Sequence, residues 1–483
     1  MRYAISFLAG LAALLSCAPT FGDAPSYDPK PWLEDLAQTR EVFLTKYANL
    51  EWAVFDREAK LPELFADTQK RIESAKSDAD ARAAFDRLAK RLGDGHVEFQ
   101  WPQAGAQDSN QAPPPCGDYR SDIVNPPLAA MAPGYREIKT AQSNVFPIGV
   151  IDSGGHHVGV LRLALFETQG FPQLCMTALA SLSIPADRPC DDKCQQKISE
   201  FANRRFTEDF IAQIKALKAA GADALLVDIT HNGGGSEWAE AAMRMLTDKP
   251  LTSEQLRFVR GEHWVKELDS FETDMREAAA KARNADEKSF LLKLADEAKV
   301  KKEVAAAPCD AAPLWSGARP SCPFLGDGFY GSGLVSTSLP AKFRNKEWAG
   351  EVFSPDEYPY EAGVWTGPLM VLVDSETWSA AEEFAAVLQD NHAATIIGEP
   401  TGGAGCGHTD GGTPTTLRNS HAVLEVPDCA RFRADGTNEV RGIRPDVLIG
   451  WRKMDGRTRR AADFAAMLPA ALQTAETLDR KAR

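Results

Sequence analysis

The 483-residue sequence lacks features that would point to several common classes of partner. It has no Lys/Arg-rich cluster, and 54 basic against 68 acidic residues give a net charge of −14. Such a surface repels a phosphate backbone, so we predict no nucleic-acid partner. Beyond the N-terminal residues, no segment is apolar enough to cross a bilayer, so no transmembrane span is expected.

The spacings of a metal site are also missing. No Cys-x-x-Cys and no paired His spacing accompanies the nine cysteines, so zinc is the weaker interpretation. Eight cysteines follow Cys17, and an even count in an exported chain indicates disulfides. The sequence leaves their connectivity open. The simplest pairs are Cys190/Cys194, Cys309/Cys322 and Cys406/Cys429.

The first 22 residues are typical of a signal peptide. Arg2 precedes an apolar run from Ala4 to Leu15. Small residues follow the run, and Thr20-Phe21-Gly22 would precede a cleavage. We therefore expect a periplasmic or secreted protein. The Leu-Leu-Ser sequence before Cys17 loosely resembles a lipoprotein box, which leaves a lipid anchor at Cys17 as the alternative.

The length predicts more than one domain. Periodicity and composition predict a signal peptide at 1–22, a small all-helical domain at 23–92, a loop-rich connection at 93–157, an α/β core at 158–455 and a C-terminal helix at 456–483. Short buried strands alternate with helices in the core, which predicts a mainly parallel sheet. A helical insertion is expected near 250–345, and 171–198 is expected to be irregular.

Two strand–turn–helix units carry the candidate chemistry. In the first, the buried run Ala224–Ile229 leads into Gly233, Gly234 and Gly235 before a helix. Consecutive glycines expose backbone N–H groups that bind anions or a developing oxyanion, although a tight turn with positive φ is the simpler interpretation. No Lys-Ser/Thr follows the glycines, so a nucleotide P-loop is not expected.

In the second unit, the buried run Leu369–Val373 leads to Ser379 at the start of a helix. The helix N-terminus favours negative charge, and the Ala380 N–H is free to donate to an oxyanion. The simpler interpretation is that Ser379 or Thr377 only caps the helix. Because ligands bind at the carboxyl ends of strands in open α/β sheets, the two units together favour a functional site.

A nucleophilic serine needs a base, and the chain has only eight histidines. His96 lies in a Gly-Asp-Gly-His turn, His408 in a glycine-rich loop, and His231 beside the triple glycine. His392 lies near a predicted helix end. Spacing and composition do not choose among them.

Five motifs, in order, resemble those of the superfamily of tail-specific (C-terminal processing) proteases, the tricorn core and interphotoreceptor retinoid-binding protein. They lie at Leu92–His96, Asp228–Gly235, Thr377–Glu382, Ile397–Gly403 and Gly442–Asp446. The resemblance implies a crotonase/Clp-protease-like core of βα units and a serine peptidase that acts on peptides or proteins without metal or cofactor. The connection at 93–157 is too short and proline-rich for the complete PDZ domain that such proteases commonly carry.

The sequence departs from the tail-specific pattern at two positions. Thr230 stands where the family often has Arg, and Ala404 stands where the Lys of a Ser–Lys dyad would be expected. The tricorn-like branch instead uses a histidine and a glutamate, whose places match His96 and Glu439. Gly95 stands where the tricorn pattern has a serine.

The resemblance therefore implies Ser379 as nucleophile, His96 as base and Glu439 as the group that orients His96. The oxyanion hole would combine the N–H of Gly233 or Gly234 with that of Ala380. A non-catalytic protein that binds apolar ligands, a crotonase-type enzyme and a small-substrate esterase or amidase are the alternatives. The oligomeric state stays open.

Overall fold

The computed structural model describes residues 27–102, 114–120, 127–142, 144–408 and 414–482. The predicted signal peptide and the alternative lipid anchor at Cys17 lie outside these residues. Over the described part of the chain, no helix combines the length and apolarity needed to span a bilayer.

Thirteen α-helices lie within these residues. They are α1 Pro29–Lys46, α2 Leu50–Phe55, α3 Leu61–Ser74, α4 Asp78–Leu92, α5 Pro172–Leu182, α6 Asp192–Ala219, α7 Trp238–Met245, α8 Glu262–Ala280, α9 Ala285–Ala305, α10 Ala312–Trp315, α11 Ala349–Val352, α12 Ala380–Asp390 and α13 Arg457–Ala482.

Thirteen strands accompany these helices. They are β1 Glu98–Gln100, β2 Arg136–Ile138, β3 Ile148–Ser153, β4 His156–Arg162, β5 Ala224–Asp228, β6 Gln255–Val259, β7 Leu325–Tyr330, β8 Leu369–Val373, β9 Thr395–Gly398, β10 Thr415–Thr416, β11 Val423–Glu425, β12 Cys429–Phe432 and β13 Val447–Leu448.

The central sheet has seven strands in the order β13-β9-β8-β5-β4-β3-β2. The strands from β13 to β4 run parallel, and β3 and β2 are antiparallel additions at one edge. Every residue of β5 and of β8 is buried, which is why both strands read as unbroken apolar runs. The predicted α/β fold with a helical N-terminal region is confirmed.

Helices cover both faces of this sheet. On one face, Phe210 of α6, Trp238 of α7 and Phe384 of α12 join one hydrophobic core. On the other face, Phe464 and Leu468 of α13 pack against the same strands. Since the parallel strands are covered on both sides, functional groups reach solvent at the strand ends.

The N-terminal helices share their core with later parts of the chain. Phe85 of α4 belongs to the same buried cluster as Leu424 of β11, and β11 pairs with β1. Helix α4 begins with the Ser77 side chain accepting from the Asp80 N–H and ends at Gly93, whose φ is 77°. This ending directs the following turn toward the central sheet.

The helical insertion is an antiparallel pair, α8 and α9, beside the three-stranded sheet β12-β6-β7. Residues 171–198, expected to be irregular, instead contain α5 and the start of α6. Leu174, Ala178 and Leu179 recur at helical spacing and are buried, so tertiary packing outweighs the Cys-rich composition.

The eight cysteines of the described residues form four disulfides. The three pairs close in sequence are those that spacing suggested, and the fourth joins two segments 59 positions apart. The pairs are Cys116–Cys175, Cys190–Cys194, Cys309–Cys322 and Cys406–Cys429.

Candidate active site

The two strand–turn–helix units meet at one edge of the sheet, because β5 and β8 are parallel neighbours. The Trp378 N–H donates to the Asn232 carbonyl at 2.9 Å. A Cβ on Gly234, whose φ is 107°, would lie 2.7 Å from the Ser379 Cβ. The close approach of the two turns therefore requires glycine at position 234.

Ser379 occupies an unusual backbone conformation at the start of α12, with φ 57° and ψ −124°. Such conformations are costly for residues other than glycine and concentrate at functional sites. The Ser379 N–H donates to Glu382 Oε2 at 3.1 Å, and the Ser379 carbonyl accepts from Arg431 Nη2 at 2.9 Å. Both ends of the residue are therefore held by buried side chains.

Two backbone donors remain beside Ser379. The Gly234 N–H donates to the Asn232 side chain at 2.9 Å, so this donor is engaged. The N–H groups of Gly233 and Ala380 make no hydrogen bond to any residue that the structure describes. A Cβ on Gly233 would meet no atom within 4 Å, so this glycine borders open space. An oxyanion could accept from Gly233 and Ala380 together.

Arg162 of β4 anchors the glycine turn. Its guanidinium donates to the Thr230 carbonyl at 2.6 Å and to the Asp228 carbonyl at 3.1 Å, and it lies 3.3 Å from the Asp228 carboxylate. Arg162 is only 1% exposed. An arginine from the neighbouring strand therefore supports this turn, in which Thr230 replaces the family's usual arginine.

His96 lies in the turn after α4, and its ring bonds to the loop after β9. The His96 Nδ1 is 2.9 Å from the Ala404 carbonyl. Because a carbonyl only accepts, Nδ1 must carry the hydrogen, which leaves the Nε2 lone pair free. The His96 N–H donates to Asp94 Oδ1 at 3.0 Å, and Tyr47 and Asn49 donate to the other oxygen of Asp94.

Burial lowers the pKa of His96 below its ordinary value of 6.5, and the charge of Arg431 lowers the pKa further. The hydrogen bond to Ala404 and the charge of Glu439 act in the opposite direction. The ring is therefore neutral at pH 7, which is the state in which an imidazole accepts a proton.

Glu382 connects the Ser379 turn with the loop that bonds to His96. Its carboxylate accepts from Thr401 Oγ1 at 2.5 Å and from the N–H groups of Gly403 and Ala404 at 2.7 Å each. Burial, followed by the charge of Glu439, raises the pKa of Glu382 to about 7. The chain of contacts therefore runs from Ser379 through Glu382 and Ala404 to His96.

Trp378 brings the same segments together from the solvent side. It is 41% exposed, and its indole lies against Gly402, where a Cβ would sit 1.7 Å from Nε1. A Cβ on Gly95 would be 3.9 Å from the same indole. The residue before His96 therefore packs near the residue before Ser379.

Glu439 is buried, and its carboxylate is bound by Arg431. Arg431 Nε is 2.5 Å from Glu439 Oε2, and Nη2 is 3.0 Å from Oε1. Over the described residues, no hydrogen bond joins Glu439 to His96, and none joins His96 to Ser379. The structure therefore gathers the predicted side chains in one region, with Arg431 in direct contact with Glu439.

The profile of Peptidase family S41 matches residues 195–449. The chain belongs to this family. The predicted membership of the tail-specific protease superfamily is therefore confirmed.

Two curated relatives are chlamydial proteins. A Chlamydia pneumoniae protein is 26% identical over 253 residues, covering 50% of this S41 chain and 36% of the relative. An uncharacterized Chlamydia muridarum protein is 24% identical over 328 residues, covering 66% and 45% respectively. The S41 chain thus spans less than half of the length of these two relatives.

Solved structures share the fold at low identity. Mature CPAF is 15% identical with a TM-score of 0.57, and the alignment covers 94% of this chain and 98% of CPAF. Mature CPAF complexed with lactacystin gives a TM-score of 0.56 at 15% identity, with 94% and 99% covered. The likeness extends over nearly all of the chain, including the helices before the S41 match.

Proposed function

We propose that the protein is an exported serine peptidase with a Ser–His site rather than a Ser–Lys dyad. The hydrogen bond between His96 Nδ1 and the Ala404 carbonyl is the observation that carries this proposal. It leaves His96 Nε2 as a proton acceptor. Ala404 lies in a loop that the Glu382 carboxylate links to the Ser379 N–H. Position 404, where a dyad lysine would be expected, thus contributes a carbonyl that orients His96.

In the proposed reaction, Ser379 Oγ attacks the carbonyl carbon of a peptide bond while His96 Nε2 takes the hydroxyl proton. The Gly233 and Ala380 N–H groups stabilise the oxyanion of the tetrahedral intermediate. Its collapse breaks the C–N bond, and His96 returns the proton to the leaving amine. Water then hydrolyses the acyl-enzyme with His96 again as base, which releases the acid and restores Ser379.

Glu439 stabilises the protonated His96 through its charge rather than through contact. Its effect is to raise the pKa of His96, and Arg431, which binds Glu439, lowers the same pKa. The hydrogen bonds of Glu439 go to Arg431, so in this proposal Glu439 acts on His96 at a distance and not as the bonded partner that the family resemblance implies.

Export is supported by the four disulfides, because disulfides persist mainly in oxidising compartments. The signal-like first 22 residues add to this support. We therefore propose a periplasmic or secreted location. The proposed organisation keeps the helical region before residue 93, the core with its α8–α9 insertion, and the C-terminal helix.

Labelling with a fluorophosphonate probe tests the nucleophile. Ser379→Ala should lower the labelling rate of the full chain by at least about 10⁴-fold, because the attacking oxygen is removed. Ser375→Ala is the matched control, since Ser375 is an exposed serine in the same turn that donates to Glu399. Mass spectrometry should place the adduct on Ser379, and labelling that survives Ser379→Ala would refute the assignment.

The same assay separates the two histidines of this region, whose ring centroids are 6.0 Å apart. His96→Ala should abolish labelling and His408→Ala should preserve it. The opposite pattern would assign the base to His408. Turnover of nitrophenyl esters without any peptide cleavage would support the small-substrate alternative instead.

A further inference from the structure

Arg431 is a buried charged residue in β12, and the expected chemistry does not use it directly. Its guanidinium is in contact with two parts of the candidate site at once. Nη2 donates to the Ser379 carbonyl at 2.9 Å and to the Gly405 carbonyl at 3.0 Å. Ser379 is the proposed nucleophile. Gly405 is the residue after Ala404, whose carbonyl accepts the hydrogen bond from His96.

Three carboxyl groups surround this one guanidinium. Glu439 is bound through two hydrogen bonds, Glu383 accepts from Nη1 at 2.8 Å, and Glu254 Oε2 lies 3.8 Å from Nε. Burial raises the pKa of Glu383 to about 8 and that of Glu254 well above its ordinary value. Of the three carboxyl groups, Glu439 is the one that Arg431 binds through two hydrogen bonds.

A covalent link joins the same two segments. Cys429, two positions before Arg431, forms a disulfide with Cys406, the residue after Gly405. The backbone of β12 is thereby tied to the loop that carries the Ala404 carbonyl. The guanidinium adds a connection that the disulfide does not make, because it reaches the backbone of Ser379.

We propose that Arg431 is a positioning residue that fixes the relative placement of the Ser379 turn and the loop that orients His96. The inference rests on the proposed Ser–His function. A planar guanidinium can hold two carbonyls and a carboxylate in one fixed geometry, whereas the single ammonium of lysine cannot. Glu439 completes the arrangement by holding the guanidinium in place.

Arg431→Met and Arg431→Lys test this role, with Arg433→Met as the matched control. Arg433 is two positions away and donates to Asp390 and Gln389, and it makes no hydrogen bond to Ser379 or Gly405 among the described residues. The measurements are the saturable rate of fluorophosphonate labelling and the melting temperature of each full-length variant.

Arg431→Met should lower the maximal labelling rate by about 10²-fold, with little change in probe affinity, because misplaced reacting groups cost about this factor. Arg431→Lys should lower the melting temperature less than Arg431→Met does, but it should still lower the labelling rate about 10-fold. Arg433→Met should lower the melting temperature but label at the wild-type rate.

The pH profile gives a readout that a purely structural role would not move. Because the charge of Arg431 lowers the pKa of His96, Arg431→Met should shift the acid limb of the labelling rate to higher pH. Arg431→Lys and Arg433→Met should leave it in place.

Wild-type labelling rates and an unmoved acid limb in folded Arg431→Met would overturn the inference. If that variant does not fold, a wild-type rate in Arg431→Lys would do so. In either case, labelling of Ser379 in the wild-type protein would still support the proposed function. If Ser379 of the wild-type protein is not labelled, both the role of Arg431 and the proposed function are contradicted.

Discussion

The two turns of the candidate site use the same means of support but contribute different chemistry. The glycine turn after β5 offers only backbone N–H groups, whereas the turn after β8 offers the Ser379 hydroxyl. In each turn, a buried arginine from another strand donates to backbone carbonyls: Arg162 to Thr230 and Asp228, and Arg431 to Ser379. Backbone geometry at both turns is therefore maintained by side chains distant in sequence.

The difference between the turns lies in the number of buried acids. Arg162 is bonded to the Asp228 carboxylate, whereas Arg431 is surrounded by Glu254, Glu383 and Glu439. Excess buried carboxyl groups keep their protons, since each ionised form would lack a partner. The comparison indicates that the three carboxyl groups around Arg431 make the serine turn sensitive to pH.

The largest expected effect is the loss of the Arg162–Asp228 pair at the glycine turn. Arg162→Met should lower the free energy of unfolding by about 3–5 kcal/mol, because the Asp228 carboxylate stays buried without its cation. Urea denaturation measures this loss. Arg136→Met, which removes an exposed pair with Asp152, is the control and should shift the midpoint little. Equal midpoints for the two variants would contradict the assigned role of Arg162.

A smaller effect should separate neighbouring glycines. Gly234→Ala should lower the labelling rate by about 10²–10³-fold, since the new Cβ would displace Ser379 and the oxyanion donors. Gly233→Ala should lower the rate less than Gly234→Ala does, because its Cβ meets no atom of the protein within 4 Å and contacts only the bound probe. Equal rates for the two variants would show that the close approach of the turns does not control reactivity.

The smallest effect is a pH dependence at the serine turn. Folded protein keeps protons on Glu382 and Glu383, with pKa values of about 7 and about 8, whereas the unfolded chain releases them near 4.5. The folded state therefore binds more protons at these two groups, and their contribution to stability falls as pH rises from about 4.5 to about 8.

Glu383→Gln should flatten this decline by up to about 1.4 kcal/mol per pH unit, the limit for one group. Denaturation at several pH values measures the slope, with the exposed Glu303→Gln as control. If both variants keep the wild-type slope, Glu383 does not retain its proton in the folded state.

Apolar runs were sufficient to predict the elements that lead into the site. The strand at Leu369–Val373 has the predicted bounds, and the helix expected from Ser379 begins one residue later, at Ala380. Burial on both faces makes such strands apolar at every position, so the pattern in sequence is strong. The helical insertion expected near 250–345 contains the two helices α8 and α9.

The residues that support the turns could not be predicted in the same way. Arg162 is 66 positions from Asp228, and Arg431 is 52 positions from Ser379. Hydrophobic periodicity reports which face of an element is buried, but not which distant carbonyl a buried donor reaches. The one sequence signal was an arginine between apolar residues in each strand, Leu161-Arg162-Leu163 and Ala430-Arg431-Phe432.

Of the ten tryptophans, Trp378 is the only one that is exposed. Its indole precedes Ser379 in the chain, so an aqueous fluorescence quencher such as acrylamide will reach this fluorophore more readily than the other nine. A ligand that covers the Ser379 turn should shield it. The protein therefore carries an intrinsic optical reporter, and the binding of a ligand beside Ser379 can be followed by emission.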